Sequence, residues 1–219
     1  MSGAPIAVLT PMANPTVERE LRQLLPADCA YVVGRLVSTE QDSTHRLRLY
    51  AEQLAASLDQ FGGMPLDSIA FACTASSYLV GQSGEERIGA TINRPVLWAA
   101  QAIRRGLAQI GAHRIAVISP YPAEIHLAGI AYWRSAGFEV IDHRRVEIGS
   151  ADTRAIYGLS TGAAHDALAA AKAAKPDAVL LSGTGMPTLA LLDAAGEPPV
   201  LSSNQCLAAA MIAQSKAPT

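Results

Sequence analysis

Charge is what this 219-residue chain has least of for its size: Asp, Glu, Lys and Arg make up 16% of it, and the formal net charge is −2. Its Lys and Arg residues stand singly or in pairs. Nucleic-acid affinity needs a basic stripe to meet phosphates, so no nucleic-acid partner is expected. Long apolar runs are missing too. None reaches the roughly 18–20 residues of a membrane span, and Met1 to Leu9 has neither a basic n-region nor an extended h-region. Neither a membrane partner nor a secretory leader is expected. Cysteine is scarce and scattered: Cys29, Cys73 and Cys206, with no CxxC, which excludes a disulfide framework and a cysteine zinc site. The five histidines form no HxH or HxxxH pair, so no metal is expected. The expectation is a reduced, soluble, cytoplasmic protein.

Apolar residues, by contrast, make up 50% of the chain although aromatics are only 5%, enough for one large α/β domain or two small ones. Short β-branched runs alternate with alanine-rich helical patterns, as in βαβ units around a parallel sheet. Strands are predicted at Ile6–Leu9, Cys29–Val37, Ser68–Cys73, Arg114–Ser119, Phe138–His143, Ala178–Ser182 and Pro199–Ser202. Leu47, Tyr50, Leu54, Leu58 and Phe61 recur at helical spacing. So do Val96, Ala99, Ile103, Leu107 and Ile110, in a helix predicted to open at Pro95 and stop at Gly111. Further helices are predicted at 16–25, 122–136, 160–174, 187–195 and 204–214.

An internal repeat organises these elements. Ile6-Ala7-Val8-Leu9-Thr10-Pro11 is echoed by Ile115-Ala116-Val117-Ile118-Ser119-Pro120. Ile69-Ala70-Phe71-Ala72-Cys73-Thr74 is echoed by Val179-Leu180-Leu181-Ser182-Gly183-Thr184. Both echoes lie about 110 positions apart, which points to duplicated units. The fold expected is α/β: two pseudosymmetric Rossmann-like lobes with parallel sheets, the first over 1–93 plus 202–219 and the second over 94–201. Ligands gather at the carboxyl ends of parallel strands, so the echoed turns should face each other across a cleft.

Those turns hold the candidate chemistry. Cys73 ends an apolar strand beside Thr74-Ala75-Ser76-Ser77, where backbone N–H groups could stabilise a thiolate; a buried structural thiol is the alternative. Ser182-Gly183-Thr184-Gly185 exposes main-chain donors suited to a carboxylate or oxyanion, or is simply a tight turn. Asn14 could donate to a carboxylate or cap the helix that follows. Tyr121 could offer a phenolic donor from the second lobe. His126 is expected at a solvated or capped helix position, and Cys29 and Cys206 in packing. Neither a dinucleotide nor a Walker A fingerprint is present.

Taken together, the asparagine loop after the first strand, the Ala-Cys-Thr turn, the Ser-Pro-Tyr turn, the second small-residue turn and the Pro-Val-x-Ser-Ser-Asn-Gln ending resemble the aspartate/glutamate racemase superfamily. Within it the likeness is to maleate cis–trans isomerases and arylmalonate decarboxylases, and it runs from Val8 to about Ile212. The resemblance implies an often oligomeric, cofactor-free enzyme with its site between two lobes, acting on a small carboxylic or dicarboxylic acid. It implies Cys73 as the catalytic cysteine and Asn14, Thr74, Tyr121, Thr184 and Gly185 as substrate contacts. Ala75 stands where the decarboxylases have a second hydroxyl residue, and Thr153 matches a second asparagine of the isomerases. The family's second cysteine is replaced by Gly183, which rules out two-thiol racemisation unless Cys206 or a water substitutes. A maleate-isomerase-like reaction therefore leads. Single-thiol decarboxylation of a malonate-type acid, racemisation of amino acids or hydantoins, and binding without turnover stay open.

Overall fold

The computed structural model describes residues 4–193 and 196–216. The first half runs β1 (Ile6–Pro11), α1 (Thr16–Leu24), β2 (Tyr31–Leu36), α2 (Ser43–Glu52), α3 (Leu54–Ser57), a 3-10 turn at Leu58–Phe61, β3 (Ile69–Phe71), α4 (Thr74–Gly89), β4 (Val96–Trp98) and α5 (Ala99–Gln109). The second runs β5 (Arg114–Ser119), α6 (Ala123–Ser135), β6 (Glu139–Arg145), a 3-10 segment at Thr153–Gly158, α7 (His165–Ala173), β7 (Ala178–Leu181), α8 (Leu189–Asp193), β8 (Val200–Ser202) and α9 (Ser203–Ser215).

The strands form two four-stranded sheets with the same order, β2-β1-β3-β4 and β6-β5-β7-β8, and every pairing is parallel. The echoed sequences are the two inner strands of each sheet. β1 is buried along its whole length and β7 likewise, which is why they read as continuous apolar runs and not as alternating ones.

Three expectations need correction. Val96–Trp98 is a strand paired with β3, not the first turn of a helix from Pro95. The first sheet therefore extends past residue 93, and α5 starts only at Ala99. The single helix read through Leu47 to Phe61 is broken at Gln53, whose ψ of 18° leaves the helical region, and its end tightens into a 3-10 turn. Cys29 lies in the turn before β2, its N–H donating to the Pro26 carbonyl. Of the helix read at 187–195, Ala194 and Ala195 lie outside the described residues.

The last helix of each half crosses to the other half. α9 leaves β8 of the second sheet, yet its Leu207, Ala208 and Met211 pack with Ile6, Val8, Ala70 and Leu97 of the first, beside Val17 and Leu21 of α1. α5 leaves β4 of the first sheet and packs on β8 and α9; its Ile103 and Leu107 join the apolar cluster holding Ile115, Val117 and Leu201. A capping box between Ser202 and Gln205 starts α9 and fixes its direction.

The halves are also joined through polar groups. The Glu20 carboxylate of α1, 2% exposed, accepts from the Thr188 N–H at 2.6 Å and from Asn204 Nδ2 at 2.7 Å. Arg46 of α2, equally buried, donates to Asp152 Oδ1 at 2.8 Å and to Thr153 Oγ1 at 3.2 Å. These contacts set the carboxyl ends of the two sheets face to face.

Candidate functional site

Cys73 is the residue immediately before α4, in extended conformation with φ −147° and ψ 95°. The apolar β3 brings the chain to this point, and the hydroxyl-rich Thr74-Ala75-Ser76-Ser77 starts the helix. The thiol is 3% exposed. Ser76 Oγ donates to its Sγ at 3.1 Å. Burial pushes the thiol up from its ordinary value, while the Ser76 hydroxyl and the N–H groups of Ser76 and Ala75 act in the opposite sense. The helix start thus supplies the oriented donors a thiolate needs, in a setting that keeps water away.

The second lobe reaches the same point from the loop after β7. Thr184 Oγ1 donates to the Ala72 carbonyl at 2.9 Å, one residue before the thiol. Asn14 reaches both the start of α1 and the second lobe. Its Oδ1 accepts from the Thr16 N–H at 2.9 Å, ordering the start of α1, and its Nδ2 faces Thr184 Oγ1 at 3.5 Å. Thr16 Oγ1 in turn donates to the Gly185 carbonyl at 2.9 Å. Tyr121 enters from the turn after β5, its hydroxyl 2.7 Å from Thr74 Oγ1.

Cys73, Asn14, Tyr121, Thr184 and Gly185 line one small cavity, with about 20 Å³ open to the centre of a water molecule. Ala75 and Thr153 line it as well. Thr74 contributes through its hydrogen bond to Tyr121, not through the lining. Gly183 does not line the cavity either. Its φ is +137°, its N–H donates to Ser203 Oγ at 2.9 Å, and a Cβ placed on it would stand 3.0 Å from Pro120 Cδ and 3.5 Å from the Tyr121 hydroxyl.

Pro11 at the end of β1, with Leu47, Ile156 and Tyr157, which sequence reasoning missed as site residues, completes the wall. Tyr157 sits in the 3-10 segment, where no periodicity marks it. The hydroxyls of Tyr121 and Tyr157 are pushed up first by burial and then by charge on the nearby Cys73 sulfur; Tyr50, also buried, is shifted the same way for the same reasons. These phenols remain protonated at neutral pH and can act as hydrogen-bond donors. Arg46 lines an adjoining small cavity that shares Leu47, Thr153 and Tyr157 with the first, placing a cation behind the neutral donors.

Two other candidates lie elsewhere. Cys206 faces a separate groove between α5 and α9, where burial pushes its thiol up to about 12, so it packs as expected and cannot act beside Cys73. His126 is neither solvated nor in the cavity. It is buried, with Nδ1 2.7 Å from Ser119 Oγ and Nε2 3.0 Å from His143 Nδ1. Among the described residues no group of three or more His, Cys, Asp or Glu side chains is placed to hold a metal ion, and no helix is long and apolar enough to cross a membrane.

Comparison with known proteins identifies a matching family and several similar folds. The family model for arylmalonate decarboxylase matches residues 50–217. The maleate isomerase of Pseudomonas putida KT2440 is 28% identical over 160 residues, which is 65% of this chain and 63%, under two thirds, of that protein's own length. Among solved structures, a cysteine-to-alanine variant of the maleate isomerase Iso from Pseudomonas putida S16 with maleate superposes with a TM-score of 0.81 at 21% identity, covering 99% of this chain and 93% of that one. The Nocardia farcinica maleate cis–trans isomerase, as a cysteine-to-serine variant with a covalently bound succinylcysteine intermediate, gives 0.78 at 22%, covering 98% and 94%. An arylmalonate decarboxylase variant with one glycine changed to cysteine and one cysteine to serine gives 0.81 at 16%, covering 99% and 94%.

Proposed function

The chain belongs to the arylmalonate decarboxylase family, and from that premise we propose that it is a cofactor-independent enzyme using Cys73 to isomerise a small unsaturated dicarboxylate of the maleate type. The observation that carries the reading is a single buried thiol at a helix start, enclosed with neutral donors from both lobes. Addition of the Cys73 thiolate to a carbon–carbon double bond converts it to a single bond about which the acid can rotate. The negative charge that develops spreads into a carboxylate, where oriented donors in a dry site stabilise it strongly. Asn14, Tyr121 and the Gly185 segment supply those donors; Thr74 holds Tyr121, and Thr184, its one proton committed to the Ala72 carbonyl, holds the backbone that carries Cys73. The succinylcysteine of the Nocardia isomerase is the kind of adduct expected on Cys73.

A second reading has its own support. Position 183 carries no thiol, and decarboxylation of a malonate-type acid needs only one. The decarboxylase variant that matches this fold has gained one cysteine and lost another. If the chain decarboxylates, Cys73 protonates the resulting carbanion from the first-lobe side. Homo-oligomeric assembly and a cytoplasmic setting belong to the same reading.

The test is incubation with maleate, phenylmalonate and aspartate in heavy water, followed by NMR. Fumarate from maleate, abolished by Cys73→Ala, supports isomerisation. Phenylacetate deuterated at its α-carbon, formed from phenylmalonate, supports the second reading. Maleate turnover that survives Cys73→Ala would overturn the mechanism, and binding without any product would mark a small-acid binder.

A further inference from the structure

A thiol that adds to one olefinic carbon leaves the neighbouring carbon needing a proton, and the second lobe offers no thiol to give it. Gly183 occupies the position related to Cys73 by the internal repeat. A side chain there is opposed twice, by the φ of +137° and by Pro120 Cδ, 3.0 Å from where its Cβ would stand. Cys206 is committed to the α5–α9 groove, its Sγ 3.1 Å from the Cβ position of Gly106. The group in front of Gly183 is the Tyr121 hydroxyl, 3.5 Å from that Cβ position. Unlike Gly183, Tyr121 lines the cavity with Cys73.

We infer that Tyr121 replaces the missing second thiol: its hydroxyl delivers a proton to the substrate carbon from the second-lobe side and then takes it back. The inference rests on the reading that Cys73 adds to an unsaturated acid. Cys73, its proton released to solvent, forms an S–C bond to one olefinic carbon, and the π pair moves to the adjacent carbon and its carboxylate. The Tyr121 O–H bond breaks, the proton bonds to that carbon, and the electron pair stays on the phenolate oxygen. Rotation about the new single bond follows. The phenolate then removes a proton from the same carbon, the double bond re-forms, and the S–C pair returns to sulfur.

Two features of the surroundings suit this role. Burial keeps Tyr121 protonated before the reaction, so the donor is loaded. Thr74 Oγ1, at 2.7 Å, can turn its hydroxyl toward the phenolate while the charge resides there. A carbanion conjugated to a carboxylate is a far stronger base than a phenolate, so the forward transfer runs downhill.

The test is Tyr121→Phe, which keeps the ring and removes the proton. Three quantities are read: kcat with maleate, the succinyl adduct on Cys73 by intact mass, and the affinity for succinate, which binds but cannot add. The expected result is a kcat lowered by about 10²-fold or more, the range for loss of a positioned acid–base group, with no adduct and succinate affinity changed by less than about tenfold. Retention of the adduct with kcat within about tenfold of the parent would overturn the inference, as would equal losses in kcat and succinate affinity, which mark a carboxylate grip only. Should the Phe variant fold poorly, 3-fluorotyrosine at 121 serves instead: its more acidic hydroxyl changes kcat at neutral pH several-fold with succinate affinity held if Tyr121 carries the proton, and leaves kcat unchanged if it does not. A parent protein that forms neither fumarate nor adduct defeats the isomerase reading itself, a result distinct from every Tyr121 outcome.

Discussion

The hydroxyl of Thr184 donates across the lobes to the main-chain carbonyl of Ala72 at 2.9 Å. The second lobe therefore holds the backbone that presents Cys73. Thr184→Val keeps the shape and removes the donor beside a fully buried carbonyl. The expected cost is about 1–3 kcal/mol in urea unfolding, together with a raised KM for the acid, and Thr184→Ser should recover most of both.

Cys73→Ser keeps the size of the side chain and the partnership with Ser76. Stability is expected to stay within about 1 kcal/mol of the parent, while kcat falls by about a thousandfold or more, as on loss of a nucleophile. Equilibrium unfolding and steady-state rates, measured on the same preparation, separate the two effects.

Gly183→Ala and Gly183→Cys should each lower stability by about 1–3 kcal/mol, because each forces an L side chain to a φ reserved for glycine and against Pro120. Equal losses for the two would locate the cost in the backbone and the Cβ. Restoring the second thiol should then fail to create an efficient two-thiol enzyme, which exchange of the α-proton of aspartate in heavy water would read out.

Arg46→Met leaves Asp152 without its interlobe partner and leaves Thr153 without a donor. Removing one member of a buried pair costs about 3–5 kcal/mol; the one-third exposure of Asp152 places this case at or below the lower end. Asp152 titrates near 2, lowered first by its hydrogen bonds from Arg154 and also by Arg46. A carboxylate lowered in the folded state stabilises above its ordinary value of 3.8, and the contribution disappears as the pH falls toward 2. The Asp152 part of the difference between variant and parent should therefore vanish only below about pH 2, leaving the pH-independent loss of the Arg46 hydrogen bonds to Ser43 and Thr153.

His126 provides a second pH dependence, in a higher window. Burial first, then His143 and Arg145, lower it from 6.5 to about 4. As pH falls below 6.5 the unfolded chain takes up the proton before the folded one does, so stability is full above that value and is lost progressively down to about 4. Allowing for screening, the loss attributable to this residue is about 2 kcal/mol. His126→Gln should flatten the stability profile between pH 6.5 and 4, as followed by thermal melts.

How much of this was legible in the sequence depends on where the determining signal lay. Ile6–Leu9 and Arg114–Ser119 were readable because strands buried on both faces carry unbroken apolar runs, and their echo revealed the two similar sheets. β4 was not. Three residues are too few to show a period of two, and Val96 merges with the alanine stripe of α5 into one helical pattern. Within the site, Cys73, Asn14, Tyr121, Thr184 and Gly185 were found because they follow strand ends. Tyr157 and Arg46 were missed because a 3-10 segment has no stripe to read, and because a buried arginine in an amphipathic stretch looks like a solvated one. The left-handed φ of Gly183, which decides whether a second thiol could stand there, becomes visible only in the fold.

The exchange of terminal helices has a consequence for the order in which the chain can mature during synthesis. All four strands of the first sheet have emerged by Trp98, yet the face formed by Ile6, Val8, Ala70 and Leu97 stays only partly covered by α1 until Leu207, Ala208 and Met211 of α9 arrive. A ribosome-bound half chain therefore carries a bare apolar strip that nothing in its own length can hide. Maturation of the N-terminal half waits on the last helix to be translated, and a polypeptide truncated before residue 203 should be held by chaperones or aggregate even though its first sheet is complete.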